Sequence, residues 1–241
     1  MIGDQQSLSE QLDRFHKGMV QRMCGRDVEA LSGLEEELRR AGVGQDVLQP
    51  GDTAPEFSLP DQHGKQVRLT DCLEHGPVVL VFFRGGWCPF CALTLRAWQD
   101  ALDGLHDAGG DLLAVSPQPC SGCSQTAERD LLAFSVLSDH GCKVADSYRI
   151  AFDMPEAARP LYAKLGHDLP RINGTGTWRL PLPASFVIGT DRRIALTHSQ
   201  IANWKRLDPG DAVAAVRRVN AQGAQAEPFK PGCRSPGSRS K

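Results

Sequence analysis

The sequence lacks the features that mark membrane, secreted and nucleic-acid-binding proteins. Its longest apolar run, Val78–Phe83, is far too short to cross a bilayer. Residues 1–6 carry neither the basic nor the apolar region of a secretory signal. Positive and negative charges nearly balance, with 27 Lys and Arg against 29 Asp and Glu, and no basic block is present. We therefore expect a cytoplasmic protein that binds neither nucleic acid nor membrane.

Motifs of several enzyme classes are also missing. The sequence contains no phosphate-binding glycine loop, no nucleotide fingerprint and no Ser-His-Asp order. Its length of 241 residues and its apolar fraction of 41% fit one domain of moderate size with extensions. Its eight cysteines are the unusual feature. In a reducing compartment they are expected to be reduced, catalytic or metal-binding rather than a structural disulfide framework.

The most informative segment is Trp87-Cys88-Pro89-Phe90-Cys91. It follows the apolar run and the short loop 84–86, and it opens a segment of helical period. A first helical turn favours a thiolate, because its unpaired N–H groups and the helix dipole present positive charge. Such placement lowers the pKa of a cysteine and makes it reactive. Two sulfurs three residues apart lie on one helix face and can close a disulfide. A redox site that needs no organic cofactor or metal is therefore predicted.

Hydrophobic patterning predicts alternating strands and helices over residues 46–222, and hence a partly parallel sheet with helices on both faces. A hairpin is expected over 51–76. The predicted strands are 78–83, 111–116, 134–137, 184–188 and 193–197. The predicted helices are 89–107, 124–132, 141–149 and 209–221. Residues 152–182 are expected to form an irregular insertion with one helix near 155–165, and residues 223–241 a disordered tail.

Residues 1–45 are predicted to form an arm of two amphipathic helices separated near Gly25. Ser7 and Glu10 form a capping box at the start of the first helix. The arm carries no cluster of polar side chains typical of a site. We expect it to pack on the domain or on a second subunit, which would make the protein a homodimer.

The order of elements around W-C-P-F-C resembles a thioredoxin fold, and more of the chain resembles the alkyl hydroperoxide reductase/thiol-specific antioxidant group, the peroxiredoxins. The similarity covers residues 51–197. It is carried by G-D-T-A-P-E-F-S-L at 51–59, V-L-V-F-F at 79–83, A-V-S-P at 114–117, F-S-V-L-S-D at 134–139 and S-F-V-I at 185–188. The chain is most similar to bacterial peroxiredoxin-like proteins with an R-G-G-W-C-P-[FY]-C loop. The resemblance implies a thiol peroxidase that reduces hydrogen peroxide or organic hydroperoxides and is regenerated by thioredoxin or a similar dithiol.

The site departs from the peroxiredoxin pattern P-x-x-x-T-x-x-C. Arg84 stands at the proline, Cys88 at the threonine and Cys91 at the position of the peroxide-attacking cysteine. The family arginine before the late strand is replaced by Pro183, which instead resembles the cis-proline that faces the C-x-x-C loop of thioredoxins. A cis Leu182–Pro183 bond is therefore expected.

By family position, Cys91 would attack the peroxide and Cys88 would resolve the sulfenic acid to a disulfide. A thioredoxin-type protein disulfide oxidoreductase is the alternative; there Cys88 attacks first and Cys91 releases the mixed intermediate. Arg84 is either a cation that stabilises a thiolate or orients a peroxide oxygen, or a solvated surface side chain. Trp87 either covers the sulfurs or packs in the core.

A second C-x-x-C pair, Cys120 and Cys123, follows strand 111–116. That strand should lie parallel beside strand 78–83, so both pairs would sit at one edge of the sheet. The second pair is either a relay dithiol for the first pair or a loop with two exposed thiols. A third possibility is half of a four-cysteine zinc site in a non-enzymatic module.

Overall fold

The computed structural model describes residues 6–226. Its centre is a five-stranded mixed sheet. The strands are β3 (Val78–Phe82), β4 (Asp111–Ser116), β5 (Ser135–Ser138), β8 (Ala184–Ile188) and β9 (Ile194–Ser199). They lie side by side in the order β5-β4-β3-β8-β9. The first three are parallel to one another, and β8 runs antiparallel to both β3 and β9. The predicted mixed sheet is confirmed, and each strand lies within one or two residues of its expected position.

Side chains of β3 alternate between two apolar clusters, one on each face of the sheet. Leu80 and Phe82 belong to one cluster, whereas Val79 and Val81 belong to the other. The second cluster is completed by α4 (Pro89–Asp100), α5 (Leu102–Asp107), α6 (Cys120–Arg129) and α10 (Pro209–Ala226). The first is covered by α3 (Leu69–Leu73), α7 (Lys143–Ser147) and α8 (Arg159–Lys164). The fold is thus a mixed sheet with helices on both faces, as the resemblance to the thioredoxin fold implies.

Two helix predictions were wrong in their bounds. The single helix expected over 89–107 is divided because Ala101, with φ −94° and ψ −2°, departs from helical geometry. The helix expected from residue 124 begins at Cys120, since Pro119 with φ −63° serves as its N-cap. The second C-x-x-C pair therefore lies in the first turn of a helix, not in a loop.

Two small hairpins flank the sheet. The predicted hairpin contains β1 (Ser58–Pro60) and β2 (Gln66–Arg68), joined by a turn in which Gly64 has φ +84°. The insertion begins and ends with the antiparallel strands β6 (Ala151–Asp153) and β7 (Arg179–Pro181). Between them lie a 3₁₀ turn, α8 and α9 (Leu169–Ile172), which replace the single expected helix.

The expected cis bond at Pro183 is wrong, because no cis peptide bond occurs among residues 6–226. The N–H of Leu182 donates to the carbonyl of Ile150 at 2.7 Å. This bond extends the β6–β7 pairing, and the chain runs on in extended form into β8. A turn before Pro183 is therefore not required.

The N-terminal arm consists of α1 (Leu8–Arg22) and α2 (Gly25–Arg40), as predicted. The Ser7–Glu10 capping box is present at the start of α1. Leu8 and Leu12 are buried in the same apolar cluster as α4, so α1 packs on the domain of its own chain.

At the other end, α10 extends to Ala226, beyond the expected end at residue 221. The remainder of the predicted tail, residues 227–241 with Cys233, lies outside the described residues. Across residues 6–226, we find no helix with the length and apolar character that crossing a membrane requires.

Because Leu12 is 0% exposed, its truncation removes apolar contacts between the arm and α4. We expect Leu12→Ala to lower the free energy of unfolding by about 3 kcal/mol in chemical denaturation. Leu131→Ala is the matched control, since Leu131 is 83% exposed and its loss should change little. Equal stability of both variants would show that arm packing contributes nothing to the fold.

Candidate active site

The loop that follows β3 places two cysteines at the start of α4. Cys88 is the N-cap residue, Pro89 occupies the first helical position and Cys91 follows in the first turn. The carbonyl of Cys88 accepts the N–H of Ala92 at 3.1 Å, so both sulfurs are held at the helix N-terminus. The predicted position of the motif between strand and helix is confirmed. Free amide donors and the helix dipole make this end of α4 favourable for negative charge.

The two sulfurs are buried, and they differ in acidity. Cys88 is 0% and Cys91 is 1% exposed, and both are free thiols. A hydrogen bond from the Cys91 thiol, and then the nearby guanidinium of Arg84, lower the pKa of Cys88 well below its usual value despite burial. Burial, together with the hydrogen bond to Cys88, raises the pKa of Cys91 well above its usual value. The pair therefore favours a negative charge on Cys88 and a proton on Cys91.

Arg84 is buried and directed at this pair. Its Nη2 donates to the Cys88 sulfur at 3.6 Å, and its Nη1 donates to the Tyr162 hydroxyl at 2.8 Å. The guanidinium lies 5.3 Å from the Trp87 ring centroid and 5.8 Å from that of Tyr162, within the range of cation–π contacts. Its Nε is buried without a hydrogen-bond partner. The alternative of a solvated surface arginine is wrong.

Arg206 is a second guanidinium at the site, and the sequence interpretation missed it. It lies in the loop after β9, where its positive charge acts on both sulfurs. Its Nη1 donates to the carbonyl of Lys205 at 3.0 Å, whereas its Nη2 is buried and unpartnered. No motif precedes Arg206, and it lies more than a hundred residues after the cysteines. Nothing in the sequence pattern could have assigned it.

Aromatic side chains cover the loop on the side of the insertion. Trp87 packs against His167 at a centroid distance of 4.5 Å and edge-on against Tyr162 at 6.1 Å. Its Nε1 is buried without a partner. Gly85 has φ +148°, and a Cβ there would lie 2.4 Å from the Trp87 Nε1. Glycine is therefore required at this position for Trp87 to fold over the loop.

An apolar cavity borders Cys88 beneath the N-terminal arm. Its walls come from the loop that follows β3, the insertion 152–182 and the N-terminal arm. The apolar lining includes Met19, Met23, Leu31, Tyr162 and Leu165. Cys91 does not line this cavity, so Cys88 is the sulfur within reach of a small molecule that enters it. Pro183 lines an adjoining cavity together with Arg84.

The second C-x-x-C pair lies at the same sheet edge as the first, as predicted. Cys123 is buried, and Cys120 is partly exposed. Within residues 6–226, no three His, Cys, Asp or Glu side chains are grouped so that they could hold a metal ion. This finding gives no support to a four-cysteine zinc site.

Comparison with known proteins finds similarity to one family and to several peroxiredoxins. The model of the AhpC/TSA family matches residues 50–197. Peroxiredoxin Bcp of Escherichia coli (strain K12) is 38% identical over 103 residues, which are 43% of this chain and 65% of that protein. The chloroplastic peroxiredoxin Q of Triticum aestivum is 31% identical over 104 residues, 43% of this chain and 48% of the relative. The chain thus spans less than two thirds of the length of these relatives.

Solved structures show the same fold at lower identity. The peroxidoxin BcpB of Mycobacterium tuberculosis superposes with a TM-score of 0.57 and 23% identity, over 71% of this chain and 98% of that one. A cysteine-to-serine mutant of peroxiredoxin 6 from Arenicola marina gives a TM-score of 0.58 and 16% identity, over 79% and 81% of the two chains.

Removal of the positive charge at Arg84 tests the electrostatics of the pair. In Arg84→Gln, we expect the thiolate to form only at a higher pH than in the wild type, because an adjacent cation favours the charged sulfur. The ultraviolet absorbance of the thiolate measures its formation. Arg84→Lys should restore part of the effect. Arg159→Gln, which removes an arginine that packs on Trp178, is the control and should leave the titration unchanged. An unaltered titration in Arg84→Gln would show that Arg84 does not set the acidity of Cys88.

Proposed function

The chain belongs to the AhpC/TSA family, and from this premise we propose that it is a thiol-dependent peroxidase that reduces hydroperoxides. The observation that carries the proposal is the pair of buried sulfurs at the N-terminus of α4, with the Arg84 guanidinium donating to Cys88 at 3.6 Å. A thiolate is the nucleophile that peroxide reduction needs. The unpartnered N–H groups of Arg84 and Arg206 are donors for the oxygens of a bound peroxide.

In the proposed reaction, the Cys88 thiolate attacks one oxygen of the peroxide and the O–O bond breaks. The leaving oxygen takes a proton and departs as water or an alcohol, and Cys88 becomes a sulfenic acid. The Cys91 thiol then attacks the Cys88 sulfur, which releases water and forms the Cys88–Cys91 disulfide. A dithiol donor such as thioredoxin supplies the two electrons that restore both thiols.

These roles reverse the order that the family position implies for Cys91. Two observations favour Cys88 as the attacking sulfur: its pKa is lowered, whereas that of Cys91 is raised, and it alone lines the cavity. Arg84 stabilises the attacking thiolate in this scheme, and Trp87 closes the site against solvent. Pro183 shapes the neighbouring cavity wall.

The alternative of a general protein disulfide oxidoreductase receives less support. Attack on a protein disulfide requires an accessible sulfur, but Cys88 is 0% exposed. A trans bond before Pro183 also departs from the thioredoxin pattern. We place the proposed activity in a reducing compartment such as the cytoplasm, where dithiol donors are available. Every residue of the proposed reaction lies in one chain, so the reaction as proposed needs no second copy.

Single serine variants test the order of the two cysteines. We expect Cys88→Ser to lower the rate of hydroperoxide consumption at least about a thousandfold, because the nucleophile is lost. Cys91→Ser should still react once and accumulate a sulfenic acid on Cys88, which dimedone labelling and peptide mass spectrometry detect. Cys72→Ser, at a cysteine remote from the site, is the matched control. Sulfenic acid on Cys91 in the Cys88→Ser protein, formed at the wild-type rate, would contradict the assignment.

Arg206 is expected to act on the resolving step, because its charge lowers the pKa of Cys91 and so favours the ionised form. In Arg206→Gln, rapid-quench analysis should show that the sulfenic acid on Cys88 persists longer before the disulfide forms. Arg206→Lys should recover part of the rate. If disulfide formation is as fast in Arg206→Gln as in the wild type, Arg206 has no part in resolution.

A further inference from the structure

A second pair of thiols lies beside the active site and has no part in the reaction described above. Cys120 and Cys123 occupy the first turn of α6. The strands that lead into α4 and α6 are parallel neighbours, with Phe82 of β3 opposite Val115 of β4 near their carboxyl ends. Both C-x-x-C pairs therefore start helices at the same edge of the sheet.

The two helices also lie side by side on one face of the sheet. Arg96 of α4 forms an ion pair with Asp130, the residue that ends α6, at 2.7 Å. Cys123 belongs to the same apolar cluster as Cys88 and Cys91. Cys123 therefore faces the same apolar cluster as the two sulfurs of the first pair, and its thiol donates to the carbonyl of Gln118 at 3.7 Å.

Hydrogen bonds at Gly86, two residues before Cys88, join the loop that follows β3 to α6 and to Gln118 just before α6. The N–H of Gly86 donates to the Gln118 Oε1 at 2.8 Å, and Arg129 donates to the Gly86 carbonyl at 2.7 Å. A Cβ on Gly86 would lie only 2.3 Å from the Thr126 Oγ1, one helical turn after Cys123. The loop that carries the active sulfurs is thus in contact with the helix that carries the second pair.

Access from solvent differs between the two pairs. Cys88 and Cys91 are 0% and 1% exposed, so the sulfur of a protein reductant cannot reach them. Only Cys88 borders the cavity that a small hydroperoxide could enter. Cys120 is partly exposed at the start of α6. Burial raises the pKa of Cys123 to about 12, so Cys123 stays a thiol and does not compete for peroxide.

We propose that Cys120 and Cys123 form a second redox-active dithiol, which reduces the Cys88–Cys91 disulfide from inside the protein and is then reduced by an external protein dithiol. The inference rests on the proposed function at one point: a hydroperoxide is the oxidant that forms the Cys88–Cys91 disulfide. Cys123 attacks the Cys91 sulfur as its thiol proton passes to solvent, and the S–S bond to Cys88 breaks. Cys88 leaves as a thiolate, which is the better leaving group because it is the more acidic sulfur. Cys120 then attacks Cys123, which forms the Cys120–Cys123 disulfide and returns Cys91 as a thiol.

The test uses the full chain and no peroxide. Diamide oxidises both dithiols, and reduced thioredoxin is then added and the reaction quenched by alkylation for peptide mapping. In Cys120→Ser/Cys123→Ser, we expect the Cys88–Cys91 disulfide to be reduced at least tenfold more slowly by thioredoxin than in the wild type. Tris(2-carboxyethyl)phosphine, a small reductant, should reduce it in both proteins, which shows that the variant retains a reducible disulfide. Cys72→Ser is the control and should match the wild type.

A second variant traps the intermediate. In Cys88→Ser/Cys120→Ser, mild oxidation should join Cys91 to Cys123, because each has lost its usual partner. Equal rates of reduction by thioredoxin with and without the second pair, or the absence of a Cys91–Cys123 cross-link, would overturn the proposal. If peroxide fails to oxidise Cys88 while the exchange still occurs after diamide, the proposed peroxidase function fails and the relay stands.

Discussion

The site depends on one negative charge in the sulfur pair of Cys88 and Cys91. The guanidinium groups of Arg84 and Arg206 stabilise this charge. A thiolate buried in an apolar cluster is costly unless charged partners and hydrogen-bond donors compensate for the lost water. Arg84 at 3.6 Å from the Cys88 sulfur, Arg206 at Cys91 and the N-terminus of α4 provide that compensation. The charge settles on Cys88 because Cys91 donates a hydrogen bond to it. The same bond keeps Cys91 protonated and places it ready to form the disulfide.

The remainder of the chain delivers these groups to one place. β3 ends two residues before Arg84, and β9 leads to the loop that carries Arg206. That loop is held by the N-terminal arm, where His16 stacks on Trp204 at a centroid distance of 3.6 Å and Asp13 pairs with Lys205 at 2.8 Å. The arm and this loop lie outside residues 50–197, the segment that matches the family model. The chain therefore completes a family scaffold with elements of its own.

Local signals in the sequence predicted much of this architecture. The apolar run 78–83 followed by a C-x-x-C and a helical period was enough to predict β3, the loop and the start of α4. The Ser7–Glu10 capping box correctly placed the start of α1. Such features depend on residues close in sequence, where propensity and capping decide the outcome.

Features set by tertiary contacts were not predictable in this way. Arg206 reaches the site from the loop after β9, and Tyr162 of α8 reaches Arg84; neither segment carries a motif. The sequence is compatible with Arg84 facing either the cysteines or solvent. In the structure its guanidinium contacts Tyr162 and Cys88. The expected cis bond at Pro183 was wrong because the β6–β7 pairing keeps the chain extended there. The order of the two sulfurs is an electrostatic property of the folded site, so sequence position alone suggested a different order.

The main prediction is that Cys88, and not Cys91, carries the negative charge of the reduced protein. Its most direct test is the pH titration of the cysteine Cβ carbons by NMR on ¹³C-labelled reduced protein, with assignments from the single serine variants. We predict that the Cβ of Cys88 titrates well below the pH range of an ordinary thiol, while that of Cys91 remains in the thiol form through neutral pH. If Cys91 ionises first, or if both sulfurs stay protonated at neutral pH, the claim is contradicted.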